Sequence, residues 1–376
     1  MHKLLVLLLQ IVFLMSEKLN IAIVFGGKSP EHEVSIISAR NIYHAIDKEK
    51  FEIQLIGISP NGQWFLENNA NLQDKNCVIG KDNETLCVQF GNPEKAFFNI
   101  ANKTYLPKVD AAFLITHGPN GEDGSLQGIF VHLDIPFVGP SVLSSAVSMD
   151  KDFTKRILRD SGIGHAKGVT IYKQDRYNTN YETLKVELGD VMFVKPCNMG
   201  SSVGVSKVTN KEEFENALDE AFIFDRKVLI EKGVVGREIE CAVLGNENAE
   251  ASTVGEIVMN YGIYDFDNKY INDAAAQLHI PAKGLTTAQM DKIRNTALAA
   301  YKALDIEGLS RIDVFLTEDD EVIINEPNTL PGFTSVSMYP KLWETSGLPY
   351  SDLIEKLIDL AIQRHQRETQ LKRTRL

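Results

Sequence analysis

Asn20-Ile21-Ala22-Ile23-Val24-Phe25-Gly26-Gly27 is a continuous apolar run that stops at a pair of glycines. A run without polar alternation is what a parallel strand buried on both faces requires. A helix start follows, with Ser29 able to act as N-cap and Pro30 at the first helical position. Val34, Ile37, Ile42 and Ala45 then supply an approximate helical stripe. Phe51 to Ile58 reads as a second strand, and Val109 to Thr116 as a third that ends at His117-Gly118. Strand–helix–strand order implies a doubly wound parallel sheet in an α/β fold, whose ligands bind beyond the carboxyl ends of the strands. Glu33, after the first strand, and His117, after the third, both stand at such ends.

The chain has 376 residues, enough for two or three domains with substantial cores. A unit over 19–140 is followed by a second over 141–232 and a third over 233–376. Residues 61 to 105 are polar and weakly patterned, as in an excursion of strands and loops. In the second unit Ser148-Met149-Asp150-Lys151 leads into a helix through Leu158, and Val191 to Lys195 and Val228 to Glu231 read as strands. The third begins with the strand Glu238 to Leu244. It includes a helix from Thr286 to Leu304 and closes with an amphipathic helix from Tyr350 to about Gln363.

Residues 1–18 form an extension. Leu4 to Met15 is strongly apolar and follows Lys3, like the core of a signal peptide, but it is too short to span a bilayer. No small-x-small cleavage site follows, and Met15 opens a second start directly before the first strand. A start-site artefact or a dispensable extension is the favoured reading over an exported chain, and the two readings place the protein in different compartments.

Hydrophobic content of 44% and charged content of 24% are those of a soluble globular protein. A net charge of -12 argues against nucleic acid as the main partner, which needs a basic footprint. The basic run from Arg364 to Arg375 reads as a solvated helix end. Cys77, Cys87, Cys197 and Cys241 show no CxxC spacing and fit reduced cysteines used mostly as small buried hydrophobes.

The richest chemistry lies in Arg311-Ile312-Asp313-Val314-Phe315-Leu316 and Val322-Ile323-Ile324-Asn325-Glu326-Pro327-Asn328, two alternating segments that read as a hairpin turning at 317–321. Side chains two apart on a strand share a face, so one face carries Arg311 and Asp313 and the facing strand delivers Glu326 and Asn328. Hard oxygen donors of this kind suit Mg²⁺, which completes its shell with substrate phosphates and water; a surface hairpin with ordinary ion pairs would look the same. Lys195-Pro196 leads into Gly200-Ser201-Ser202-Val203-Gly204, a turn able to close over phosphate oxygens or simply to be a hairpin tip. Glu231-Lys232 and Glu238 flank a short Gly-Val-Val-Gly hinge and suit adenine or ribose, or a solvated rim. Asp265 to Asp273, with Lys269 and Tyr270, looks like an exposed loop. Pro331-Gly332 is a turn whose glycine allows close backbone approach to a substrate.

Taken in order, these segments resemble the ATP-grasp ligases, and within them the D-alanine–D-alanine ligases. The matching pieces are Glu31-His32-Glu33-Val34-Ser35, His117 through Gly124, Ser148-Met149-Asp150-Lys151, Lys195 through Gly204, Lys269-Tyr270, Arg311-Ile312-Asp313 and Asn325 through Gly332. The likeness runs from about Leu19 to Leu360 and implies a three-domain ATP-grasp fold whose N-terminal domain is the doubly wound parallel sheet. It implies ATP-dependent ligation of two D-alanine molecules through an acyl phosphate, for peptidoglycan precursors, in the cytoplasm. Stable membrane association is not expected, and a homodimer is allowed.

The resemblance also implies roles. Lys151 and Lys195 would serve the ATP phosphates, Glu231 and Lys232 the adenine side, and Glu238 the ribose, with Lys269 also a cofactor-binding residue. Asp313, Glu326 and Asn328 would hold two Mg²⁺ ions, with Mn²⁺ as a substitute. Glu33 would receive the ammonium of the first D-alanine, with His117 nearby. Ser201 and Tyr270 would join Glu33 in tying down a lid. Arg311 and the Gly332 N–H would stabilise the oxyanion, and Ser337 and Met338 would hold the second D-alanine. Cys197-Asn198-Met199 departs from the family's more polar pattern, which leaves the detail of lid closure open. Related carboxylate–amine ligases with D-serine or D-lactate as acceptor remain an alternative, as does an exported two-lobed binding protein that needs no ATP.

Overall fold

A computed structural model describes residues 18–259 and 276–372. The extension over 1–17, and Lys269 and Tyr270 with their loop, lie outside the described residues.

Leu19–Gly26 is the middle strand of a five-stranded sheet in the order Trp64–Glu67, Phe51–Ile58, Leu19–Gly26, Ala111–Leu114, Phe137–Val138. It pairs in parallel with both neighbours, and Ile21 through Phe25 are fully buried, as an apolar run covered on both faces must be. The chain moves first to one side of this strand and then to the other. The resulting switch point opens between the carboxyl ends of Leu19–Gly26 and Ala111–Leu114, where ligands bind in such sheets. Residues 61 to 105 do form an excursion, ending in a small sheet of Leu86–Val88, Phe97–Asn99 and Thr104–Tyr105.

Two antiparallel sheets follow. One has the order Ser206–Val208, Met192–Pro196, Lys227–Lys232, Gly168–Tyr172. The other runs Ala276–His279, Glu250–Met259, Arg237–Gly245, Gly308–Leu316, Val322–Asn328. The expected hairpin is its edge: Arg311 stands opposite Asn328 and Asp313 opposite Glu326, with a bulge beyond Asp313 that leaves Asn325 as the extra residue. The helix Thr287–Ala303 starts at Thr286 with a capping box to Gln289 and buries Ile293, Ala297, Ala300 and Tyr301 against this sheet.

Two helix ends differ from expectation. The regular first helix begins at His32, two residues past Pro30, although the Ser29 hydroxyl does accept the Glu31 N–H at 3.1 Å, as a capping serine would, and closes a turn ahead of it. The last helix runs on to Thr369, and its basic end is not simply solvated. Arg364 is 4% exposed and donates to the carbonyls of Gly139 and Phe137 at 2.5 and 2.8 Å, while Arg367 pairs with Glu307 at 2.8 Å. These bonds pin the C-terminal helix to the end of the first sheet. Of the four cysteines, all free, only Cys87 is exposed. Among the described residues no helix is long and apolar enough to cross a membrane.

Candidate active site

Two adjoining cavities lie where the three main sheets meet. The first is lined by the switch-point segments and one face of the Arg311–Asn328 hairpin, including Glu31, His117, Glu122, Ser201, Arg311, Asn328, Gly332, Ser337 and Met338. The second lies between the two antiparallel sheets, with Lys195, Glu231, Lys232, Glu238 and Asp313 on its polar walls and Phe193, Val314 and Phe315 among its apolar ones. Lys151, Glu326, Glu240, Met199 and Gly200 line both, so the cavities share a wall.

Lys151 opens the helix Lys151–Asp160, whose N-cap is Asp150. Asp150 also binds the buried Lys227 ammonium, which fixes the helix start. From there Lys151 Nζ donates to the Met199 carbonyl at 2.7 Å and stands 3.4 Å from Glu326 Oε2. Lys195 Nζ pairs with Glu231 Oε2 at 2.7 Å and reaches the bulged Asn325 at 3.4 Å. Lys155, which sequence reasoning did not single out, binds the other Glu231 oxygen and the Ala166 carbonyl. Burial pushes the Glu231 carboxyl up, but the two ammonium groups outweigh it and hold it below the usual range. Burial pulls Lys195 down, and Glu231, Glu326 and Glu238 more than restore it. Lys155 is left below its ordinary value because burial dominates there.

On the hairpin, the Arg311 guanidinium grips Asp313 through two bonds of 2.7 Å and lies 3.0 Å from Glu240 on the neighbouring strand. Glu240 is a second residue the sequence reading missed; it is two positions beyond Glu238, and period-2 alternation places both on one strand face. The metal set passes a chemical test of fit. Asn328 Oδ1 is buried without a hydrogen-bond partner, and Glu326 and Asp313 supply two carboxylates from facing strands. Two carboxylates and an amide oxygen are hard donors suited to Mg²⁺. Among the described residues no group of three or more His, Cys, Asp and Glu side chains is arranged to hold a metal ion; here the Asn328 amide would join the two carboxylates.

The assignment of Glu33 needs correction. Glu33 is exposed and lines neither cavity. Glu31, 8% exposed, lines the first cavity, and the Ser201 hydroxyl donates to its Oε1. Glu31 stands at the N-cap and Glu33 in the first turn of the helix, and only Glu31 lines the cavity. Ser201 and Ser202 take positive φ values of 50° and 59°, an uncommon backbone for serine that aims the Ser201 hydroxyl at Glu31. His117 is buried, with Nδ1 donating to the Leu330 carbonyl at 2.9 Å and Glu122 Oε1 at 3.9 Å. Burial pulls its imidazole down, but Glu122 and Glu31 outweigh it and raise the group above its ordinary value. Glu122, also missed, is pushed up by its own burial. It stood within the His117–Gly124 stretch, but nothing in its spacing marked it.

A parallel-sheet unit joined to two antiparallel sheets, which close over a cleft lined by lysines and carboxylates, defines an ATP-grasp ligase fold. The family models described as D-ala D-ala ligase N-terminus and D-ala D-ala ligase C-terminus match residues 20–140 and 157–359. The chain is 51% identical over 363 residues to a D-alanine–D-alanine ligase of Oceanobacillus iheyensis, covering 95% of this chain and 99% of that one. Among solved structures, the D-alanine–D-alanine ligase from Coxiella burnetii superposes with a TM-score of 0.83 at 36% identity, covering 94% of this chain and 98% of its own. The VanG D-Ala:D-Ser ligase from Enterococcus faecalis gives the same TM-score and identity, over 92% of this chain and 100% of its own. The chain belongs to the D-alanine–D-alanine ligase family.

Proposed function

We infer that the two cavities are the nucleotide and amino-acid ends of one reaction, the ATP-dependent joining of two D-alanine molecules for peptidoglycan precursor synthesis. The observation that carries this reading is the shared wall: Lys151 and Glu326 face both cavities, where a phosphoryl group must pass from one substrate to the other. The reading places the reaction in the cytoplasm, where ATP is supplied.

ATP lies in the second cavity, its base against the apolar wall near Glu231 and Lys232, its ribose at Glu238 and its phosphates toward Lys151 and Lys195. The first D-alanine sets its ammonium against Glu31. One carboxylate oxygen attacks the γ-phosphorus, the bond to the β-phosphate oxygen breaks, and ADP leaves an acyl phosphate. Lysine charges at fixed positions stabilise that transfer without reorganising. Asp313, Glu326 and Asn328 would hold Mg²⁺, in the two-ion arrangement expected of this set; bound there, the metal neutralises charge on the phosphoryl oxygens.

The amine of the second D-alanine, its carboxylate held by Ser337 and the Met338 backbone, then attacks the acyl carbon. A C–N bond forms, the C–O bond to phosphate breaks, and the amine proton passes to the departing phosphate. Arg311 and the Gly332 N–H stabilise the intervening oxyanion. Because water would destroy the acyl phosphate, the loop carrying Ser201 closes on Glu31 to exclude it. D-alanine is the acceptor favoured over D-serine, since the 51%-identical relative is a D-alanine–D-alanine ligase and the D-Ala:D-Ser ligase is more distant.

Purified protein given ATP, Mg²⁺ and D-alanine is expected to release phosphate and form the dipeptide in equal amounts. D-serine in competition should not displace D-alanine as acceptor. Glu326→Gln should lose at least about 100-fold in kcat with the fold intact. Near-normal turnover in that variant would overturn the metal assignment.

A further inference from the structure

We propose that Ser38 is a positioning residue for the bond-forming step: with His117 it clamps the Leu330–Phe333 turn so that the Gly332 N–H is held against the amino-acid cavity. The inference rests on the oxyanion role proposed above for Gly332.

Ser38 lies in the first helix, three residues after Ser35, so the two hydroxyls share a face of that helix. Both are fully buried. Ser35 is used within its own sheet unit, accepting from the Gly26 N–H at 2.7 Å and donating to the Ile115 carbonyl at 2.6 Å. Ser38 instead reaches a segment nearly 300 residues away. Its Oγ accepts the Phe333 N–H at 3.2 Å and lies 3.4 Å from His117 Nε2. The other His117 nitrogen donates to the Leu330 carbonyl at 2.9 Å. Ser38 and His117 therefore touch both ends of a four-residue turn whose third residue, Gly332, lines the cavity.

The far side of the turn is anchored separately. The Tyr350 hydroxyl donates to the Phe333 carbonyl at 2.7 Å, and the Phe333 ring packs edge-on against Phe113 at 5.6 Å. Phe333 is thus fixed by aromatic packing, while Ser38 holds the Gly332–Phe333 peptide through its N–H and Tyr350 holds the following peptide through the Phe333 carbonyl. The Pro331–Gly332 peptide that carries the donor N–H lies between the peptides held by His117 and Ser38; releasing one of them lets the donor shift, and misplacement by about 1 Å can cost about 100-fold. A buried helical serine more often bonds back to the preceding turn of its own helix. Here the hydroxyl bridges the parallel sheet unit to the turn that follows the strand Val322–Asn328.

The test uses full-length protein and the variant Ser38→Ala, with two readouts. In substrate-free protein, hydrogen exchange at the Phe333 amide should speed up by about tenfold or more, while amides of the Leu19–Gly26 strand stay protected. In turnover, the KM for ATP should hold, dipeptide kcat should fall about tenfold, and phosphate released per dipeptide should rise from one toward roughly two, as water intercepts the waiting acyl phosphate. A purely structural defect would lower phosphate and dipeptide together and leave their ratio at one. Unchanged Phe333 exchange would overturn the clamp, and faster exchange with an unchanged ratio would overturn its positioning role. If the unmodified protein makes no dipeptide, the functional reading fails, and the exchange measurement still decides the clamp.

Discussion

Glu31→Gln and Glu33→Gln form a matched pair of perturbations separated by two residues at a helix start. The Glu31 carboxylate is 8% exposed and lines the amino-acid cavity. One oxygen takes the Ser201 hydroxyl, and the other packs against Gly118 and Gly200, where an added Cβ would come within 2.7 and 3.3 Å of it. Replacing it by an amide keeps the shape, removes the charge facing the substrate ammonium and weakens the tie to the loop. A hydrogen bond to a charged group contributes about 1.5–3 kcal/mol, so the expected loss is about 10- to 150-fold in kcat/KM for the first D-alanine. Glu33 is exposed, and an exposed substitution stays within about 0.5 kcal/mol, or about 2.5-fold. The assay is steady-state phosphate release with D-alanine varied at saturating ATP, together with ATP varied at saturating D-alanine. The KM for ATP should stay within about twofold in both variants. A larger effect from Glu33→Gln than from Glu31→Gln would refute the assignment of Glu31.

Three further outcomes follow from the packing and the charges. Arg364→Ala strips the guanidinium from the Gly139 and Phe137 carbonyls and should cost about 2–4 kcal/mol, seen as a lower midpoint in urea unfolding with kcat largely kept. Glu231→Gln leaves the Lys195 and Lys155 ammonium groups facing each other without their shared carboxylate; it should destabilise by about 3–5 kcal/mol and raise the KM for ATP, as nucleotide-dependent thermal shift would show. Because the Glu231 carboxyl lies below its ordinary 4.5, its contribution is present above about pH 4.5 and lost as pH falls through the folded value. His117 has the opposite sign. Its imidazole lies above the ordinary 6.5, so its contribution is complete below about pH 6.5 and is lost as pH rises through the folded value. In His117→Gln the stability profile should flatten in that higher window, and an unchanged profile would count against a charged His117.

The polypeptide's local pattern alone determined the parallel strand Leu19–Gly26, the two strands of the hairpin that carry Arg311, Asp313, Glu326 and Asn328, and the helix that follows Thr286; the bulge at Asn325 that sets Asp313 opposite Glu326 was decided by the fold. Each depends on neighbours a few residues apart: apolar continuity, period-2 alternation, or a cap with its glutamine three residues on. It could not decide between Glu31 and Glu33, because that turns on which carboxylate meets Ser201, Gly118 and Gly200 from distant segments. Nor could it reveal Glu122, Glu240, Lys155 or Ser38, whose partners lie on other elements. Arg364 shows the same limit: in the sequence it belongs to a basic run, yet in the fold its guanidinium is buried against two carbonyls more than 200 residues away. Alternation and capping are short-range and visible in one segment, whereas burial and charge pairing exist only once distant segments exclude water from the space between them.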